Sequence, residues 1–310
     1  MLAEFFRYWT TFAPERVRKA GYLKRLVALE FRAKRCASAW ESHLQNCRDS
    51  ILKAADLCEQ QRICVIIGSG LLLEVPLSAL ASRFNVVYLV DIFHMPQVVA
   101  EAKRHFNVRL LTGDVTGVFL AIKDRKPPGP NQPAPPPRIP HLKDADLIVS
   151  CNCLTQLYGP FTEIFERDRG FSESDTDKVA VQIMEKHAHA IALEATGVGL
   201  IITDVERYVL AGDKIVTRTD LLKDYQLPET PTKHHNEEWA WMIAPAPEED
   251  PARDVEHLVQ AKVYQRNLPK EEEKPGEGSD APSTLDEDHR PLPPEYGGPD
   301  EESSAPPIQR

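Results

Sequence analysis

Two glycines and an ordered series of acids mark where this chain could hold a ligand. The run CVIIGSG (64–70) carries four apolar residues straight into Gly68-Ser69-Gly70. Glycines at this spacing let a backbone turn tightly and approach a ligand with no Cβ in the way. Asp91 closes the next apolar run, VVYLVD. A carboxylate there can accept both hydroxyl protons of a ribose. Asp114 lies in TGDV, after a third run, where an acid can accept the exocyclic amine of an adenine. Ser150-Cys151-Asn152-Cys153 and Thr203-Asp204 then put polar side chains after two more runs. Singly, each signal is weak, since a strand-end Asp is more often a helix N-cap. In this order they describe a nucleoside site.

Such residues converge only if strands carry them to one edge. RICVIIG (62–68), NVVYLVDIF (85–93), VRLLTGDV (108–115), ADLIVSCN (145–152) and VGLIITDV (198–205) are five short, nearly all-apolar runs. Runs of that kind suit strands buried on both faces of a parallel sheet. Helical patterns over 76–84, 96–106 and 177–196 alternate with them, which predicts a doubly wound α/β sheet. Ligands bind outside the carboxyl ends of such sheets, where the glycines and acids fall. EEWAWMIAPAP (237–247) and VEHLVQAKVYQR (255–266) are joined by the turn-rich EEDPARD and predict a closing antiparallel pair.

Three regions follow: a helical cap over 1–60, the α/β domain over 61–267, and a tail over 268–310. Phe5, Tyr8, Trp9 and Phe12 recur at helical spacing, as do Leu44, Cys47, Ile51, Ala54 and Leu57. The first 65 residues are mildly basic, which suits an anionic partner or a membrane surface. A cap is favoured, because apolar stripes need somewhere to bury. The formal net charge is −10, and most of it belongs to the proline-rich tail. That tail lacks apolar periodicity and is expected to be disordered and solvating. The segment RKPPGPNQPAPPPRIPH (125–141) is too proline-rich for helix or central strand and reads as an extended surface loop.

No stretch approaches the roughly 18 apolar residues of a membrane span. The N-terminus carries Glu4 and no small-residue cleavage site, so it is a poor signal peptide and the expected compartment is the cytoplasm. Cys36, Cys47 and Cys58 are spaced to share one buried helix stripe. The lone Cys151-x-Cys153 has no partner pair, and adjacent His234 and His235 point apart in a strand, so no metal site is expected. His187 and His189, beside apolar neighbours on a helix, read as structural or exposed. Trp239 and Trp241 share a strand face and read as core rather than as a stacking platform, since no basic groove accompanies them.

The motifs CVIIGSG, VVYLVDIF, VRLLTGDV and DLIVSCNCLTQL, in this order, resemble a class I S-adenosylmethionine-dependent methyltransferase with a divergent motif I. The resemblance covers roughly residues 60–266. It implies a Rossmann-like, seven-stranded, mostly parallel sheet with a C-terminal antiparallel hairpin. It implies S-adenosyl-L-methionine as cofactor. Gly68, Ser69 and Gly70 would pass its methionine part. Asp91, with Ile92, would hold the ribose, and Asp114, with Val115, would meet the adenine. Cys151 and Asn152 would face the methyl group. Asn152 and Tyr158 are the candidate catalytic residues. The chain departs from the family at Ile67, where an acid is usual, and at Leu72, where a third glycine is usual. The loop is therefore longer and greasier, with Pro76 placed to open the next helix.

The implied activity is methyl transfer to a small-molecule or protein acceptor. The strand-four end lacks the Asn/Asp-Pro-Pro-aromatic signature of amino-group methylation, and no strong nucleic-acid signature is present. Two other readings stand beside it. One is a cofactor-binding or interaction module whose chemistry has lapsed, suggested by Ile67 and the lack of an obvious base. The other is a nicotinamide-dependent oxidoreductase, against which Leu73 counts at the third fingerprint glycine. The sequence leaves the oligomeric state and the acceptor open.

Overall fold

The computed structural model describes residues 2–118, 129, 131–159, 162, 170–229 and 236–265. The acidic tail (268–310), the pair His234-His235 and parts of the proline-rich and post-Tyr158 segments lie outside the described residues.

Strands β1 (Ile63–Ile67), β2 (Val86–Asp91), β3 (Val108–Thr112), β4 (Leu147–Cys151) and the start of β5 (Val198–Ala211) pair in parallel. β8 (Asp254–Tyr264) lies antiparallel between β5 and β7 (Glu237–Ala244). The order is β3-β2-β1-β4-β5-β8-β7, with β6 (Lys214–Asp220) pairing the far end of β5. The doubly wound, mostly parallel sheet and its closing antiparallel pair are as the sequence implies, with eight strands in place of seven. The extra strand comes from a hairpin at Gly212-Asp213, where Ala211 faces Lys214 and Gly212 has φ +59°. A two-residue Gly-x link between β-rich runs is a hairpin signal, and it was legible in the sequence.

The strands are apolar throughout because both faces are covered. Ile66, Leu89, Val149 and Leu200 face a core shared with helices α4 (Ala37–Asp56) and α5 (Leu77–Arg83). Val65, Val90, Ile148 and Ile201 face the other core, with Met184, Ala188 and Ile191 from α7 (Glu173–His189) and the wide π turn that extends it. Trp40 of α4 is fully buried against Trp241, edge to face at 5.1 Å, and its indole N–H donates to the Ile243 carbonyl at 3.0 Å. Trp241 is thus a core residue and Trp239 packs half-buried against the same core, in line with their shared face. α6 (Pro96–Ala102) connects β2 to β3.

Three expectations change. Helix α1 (Leu2–Thr10) buries none of its residues: Phe5, Phe6 and Trp9 stay exposed, and Phe12 just after it does too. It touches α3 (Tyr22–Arg35) through Tyr8, so the aromatic spacing there does not mark a core stripe. The proline-rich segment is more than a surface loop in its described part. Ala134 and Ile139 are buried, and Arg138 N–H donates to the Val115 carbonyl at 2.7 Å. The cysteine stripe is also interrupted: Cys36 sits at the break between α3 and α4, and only Cys47 lies within α4. Among the described residues no helix is long and apolar enough to cross a membrane.

Candidate functional site

The strand order reverses beside β1, whose neighbours are β2 and β4. That is the switch point where open α/β sheets bind ligands. A cavity of about 450 Å³ opens there, bordered by Gly68, Gly70, Asp91, Ile92, Asp114, Val115, Cys151 and Asn152.

At one end the walls are turns. Gly68 and Gly70 have φ +73° and +50°, conformations glycine enters without strain. A Cβ on Gly68 would lie 2.6 Å from Cys153 Cβ, so only glycine fits. A Cβ on Gly70 would meet nothing nearer than the Gly68 carbonyl at 3.8 Å. Leu72, where a third glycine is usual, has φ +62°. Its backbone keeps the left-handed turn, at a strain of about 1–2 kcal/mol, while its side chain packs with apolar neighbours. Asp91 ties this turn to β2. Its Oδ2 accepts from Gly70 N–H at 2.8 Å and its Oδ1 from Ile92 N–H at 2.7 Å. Each carboxylate oxygen has a second lone pair to offer a ligand. Burial pushes the Asp91 carboxyl up, opposed by these N–H groups and by His94.

Asp114 borders the cavity after β3, and Thr116 holds its Oδ1 through both N–H (2.9 Å) and hydroxyl (2.6 Å). Helix α3 covers this end with Tyr22, Arg25, Leu26 and Leu29. Tyr22 is held strongly un-ionised, first by burial and then by the charges of Asp114 and Asp91. The sequence places a helical cap over 1–60 but names no residue of α3 in the site, because nothing local says where a helix docks.

The other end is built of side chains. Asn152 closes β4 at φ +47°, with its N–H on the Ile202 carbonyl at 2.8 Å. Its buried Oδ1 has no hydrogen-bond partner among the described residues. Glu74 borders the same space, its carboxyl raised by burial, and it interacts with Asn152 and Arg48. Cys151 and Cys153 line the wall, their thiols pushed up by burial, Cys153 to about 12. At neutral pH neither is a thiolate nucleophile. Asp204 of β5 and His257 of β8 meet here: His257 Nδ1 lies 2.9 Å from Asp204 Oδ2, and Thr155 hydroxyl donates to Oδ1. Trp241 stands beside them, 5.9 Å from the His257 ring, and stacks on His43 of α4 at 3.9 Å. Its buried indole N–H has no partner among the described residues.

Two expected site residues lie elsewhere. Ser69 is buried, its hydroxyl has no partner among the described residues, and it does not border the cavity. Tyr158 packs among apolar residues with Lys223 over its ring at 5.6 Å, away from the cavity wall. A loop residue's proximity in sequence to β4 does not aim its ring inward. His187 is structural, as expected: it is buried, shares a hydrogen bond with Ser150 at 3.0 Å, and is held neutral, its pKa lowered by burial to about 4. Glu74 and His257 were missed as site residues. Glu74 follows the glycine turn and was findable; His257 sits in an ordinary strand pattern.

No family model matches the sequence. No curated protein matches it. Among solved structures, a precorrin-8W decarboxylase from Methanobacterium thermoautotrophicum overlaps 68% of this chain and 86% of its own, at 17% identity and a TM-score of 0.27. DhpI in complex with S-adenosylmethionine overlaps 81% and 100%, at 12% identity and 0.33. A 1,6-didemethyltoxoflavin N1-methyltransferase from Burkholderia thailandensis overlaps 75% and 87%, at 11% identity and 0.30.

Proposed function

We propose that this chain is an S-adenosylmethionine-dependent methyltransferase acting on a small-molecule or protein acceptor. The observation that carries the reading is the convergence of the glycine turn, Asp91, Asp114 and Asn152 on one cavity at the switch point. The donor set suits such a cofactor. Asp91 offers acceptor lone pairs to a ribose, and Asp114 stands one strand further on, toward an adenine. The turn at Gly70 leaves room for the chain that joins them to the methionine part. Glu74 supplies a carboxylate near that end, where Ile67 has none. When bound, the cofactor supplies an electrophilic methyl group on a sulfonium.

The chain's part is to align an acceptor with that methyl group and to keep water out. Leu26 and Leu29 of α3 cover the cavity, and Leu157, Trp241 and Ile243 give it an apolar wall. The antiparallel β8, lodged between β5 and β7, favours this reading over a nicotinamide-dependent oxidoreductase, whose sheet is usually all parallel. Calorimetry with S-adenosylmethionine, S-adenosylhomocysteine and NAD tests it. The first two should bind at about micromolar Kd and NAD should not. If neither sulfur ligand binds, the cofactor reading is wrong. If Asp91→Ala binds as the parent does, the ribose assignment is wrong.

A further inference from the structure

We propose that His257, oriented by Asp204, is the base that takes the proton from a neutral hydroxyl acceptor bound on an apolar, phenol-like scaffold. This rests on the methyltransferase reading and goes beyond it.

A carboxylate accepts hydrogen bonds and cannot donate them. The 2.9 Å contact therefore places the proton of a neutral His257 on Nδ1, donated to Asp204 Oδ2. Nε2 then carries the lone pair. His257 and Asp204 are both more than nine-tenths buried and both border the cavity. Asp204 is itself fixed by the Thr155 hydroxyl. An oriented imidazole with its second nitrogen left for a ligand is the arrangement a general base requires.

The surroundings narrow the acceptor. Asp91, Asp114, Glu74 and Asp204 border the same cavity against the guanidinium of Arg25, so an acceptor arriving as an anion meets an excess of acids. A neutral amine attacks with its own lone pair and needs no proton removed first. A hydroxyl is a weak nucleophile until its proton leaves. Trp241, Ile243 and Leu157 suit an aromatic or aliphatic body. The unpartnered Trp241 indole N–H and Asn152 Oδ1 belong to the walls of this same end. In the step, the acceptor's O–H bond breaks as its oxygen bonds the methyl carbon. The methyl–sulfur bond breaks with its electron pair going to sulfur, leaving a neutral thioether. The proton ends on His257 Nε2, and the imidazolium is balanced by Asp204.

Two readouts test this without a known acceptor. Nitrogen-15 NMR of the histidine rings in the full chain should show His257 as the Nδ1–H tautomer. That preference should be lost in Asp204→Ala and kept in Asp204→Glu. Asp204 of β5 and His43 of α4 are titratable groups beside the ring, and His43→Phe serves to assign its signals. Next, 4-nitrophenol, whose colour reports its ionisation, is titrated into protein loaded with S-adenosylhomocysteine, at a pH below the phenol's own pKa. The parent should bind it and raise its phenolate absorbance. His257→Gln should lose that signal while S-adenosylhomocysteine binds within about twofold of the parent. An Nε2–H tautomer, or a phenol left un-ionised by the parent or ionised equally by His257→Gln, overturns the base. Failure of S-adenosylhomocysteine to bind the parent overturns instead the cofactor reading beneath it.

Discussion

The two ends of the cavity are built in different ways. The glycine end is made of turns, each of which follows its strand within a few residues. Gly70 is bonded to Asp91, and Asp114 to Thr116, through backbone N–H groups. The acid–histidine end is made of side chains brought together from β4, β5, β7 and β8, with α4 packed behind them. The first end is stiff because backbone geometry defines it, so substitutions there should damage fold and cofactor binding together. The second depends on packing between distant segments, so its variants should separate acceptor chemistry from cofactor affinity.

Gly68→Ala should break the glycine end most severely. It combines a left-handed φ with a Cβ 2.6 Å from Cys153 Cβ, and together these should cost about 4 kcal/mol. Denaturant unfolding measures it. Adding Cys153→Gly removes the nearest obstacle and should restore part of the loss; no recovery would mean that the clash is not the cause. Asp91 comes next. Asp91→Ala should weaken S-adenosylhomocysteine about 100-fold and Asp91→Asn about tenfold, since the amide keeps one carbonyl acceptor. Equal losses in calorimetry would show that charge alone matters there.

The packed end should respond to acid. Burial lowers the pKa of His43 to about 3 and that of His187 to about 4, so both are neutral in the folded chain. The unfolded chain takes up their protons below about pH 6.5, so stability is present above that pH and drains as pH falls toward the folded values. Going from pH 7 to 5 should cost about 2 kcal/mol for each. His43→Phe should therefore lose about half of the drop that these two histidines contribute, read as the difference in unfolding free energy between the two pH values. An unchanged pH response would mean that His43 is already charged or unburied.

The smallest expected effect is at Leu72. Leu72→Gly relieves left-handed strain but gives up apolar contact, and the two terms should nearly cancel, leaving under about 1 kcal/mol in the same unfolding assay. A large loss would show that packing, not the turn, keeps leucine there.

The glycine end was legible because its signals are local. Apolar runs buried on both faces announced the parallel strands, and the residues just past each run had to fall at one edge of the sheet. Gly68, Gly70, Asp91, Asp114 and Asn152 could all be placed in that way. Ser69 and Tyr158 show the limit: their neighbours in sequence reach the cavity, but their own side chains turn into the packing. The β5–β6 hairpin was readable from Gly212-Asp213, although it was not expected.

The sequence by itself therefore determined seven of the eight strands, their parallel sheet and the order of glycines and acids along its carboxyl edge. Burial patterns and turn chemistry are written in adjacent residues. Only the tertiary structure decided that α3 covers the cavity with Tyr22 beside Asp91 and Asp114. It alone decided that β8 slots in beside β5 and brings His257 to Asp204 across 53 residues. Helix docking and strand register are sums over many distant contacts, and no short stretch of chain carries that sum.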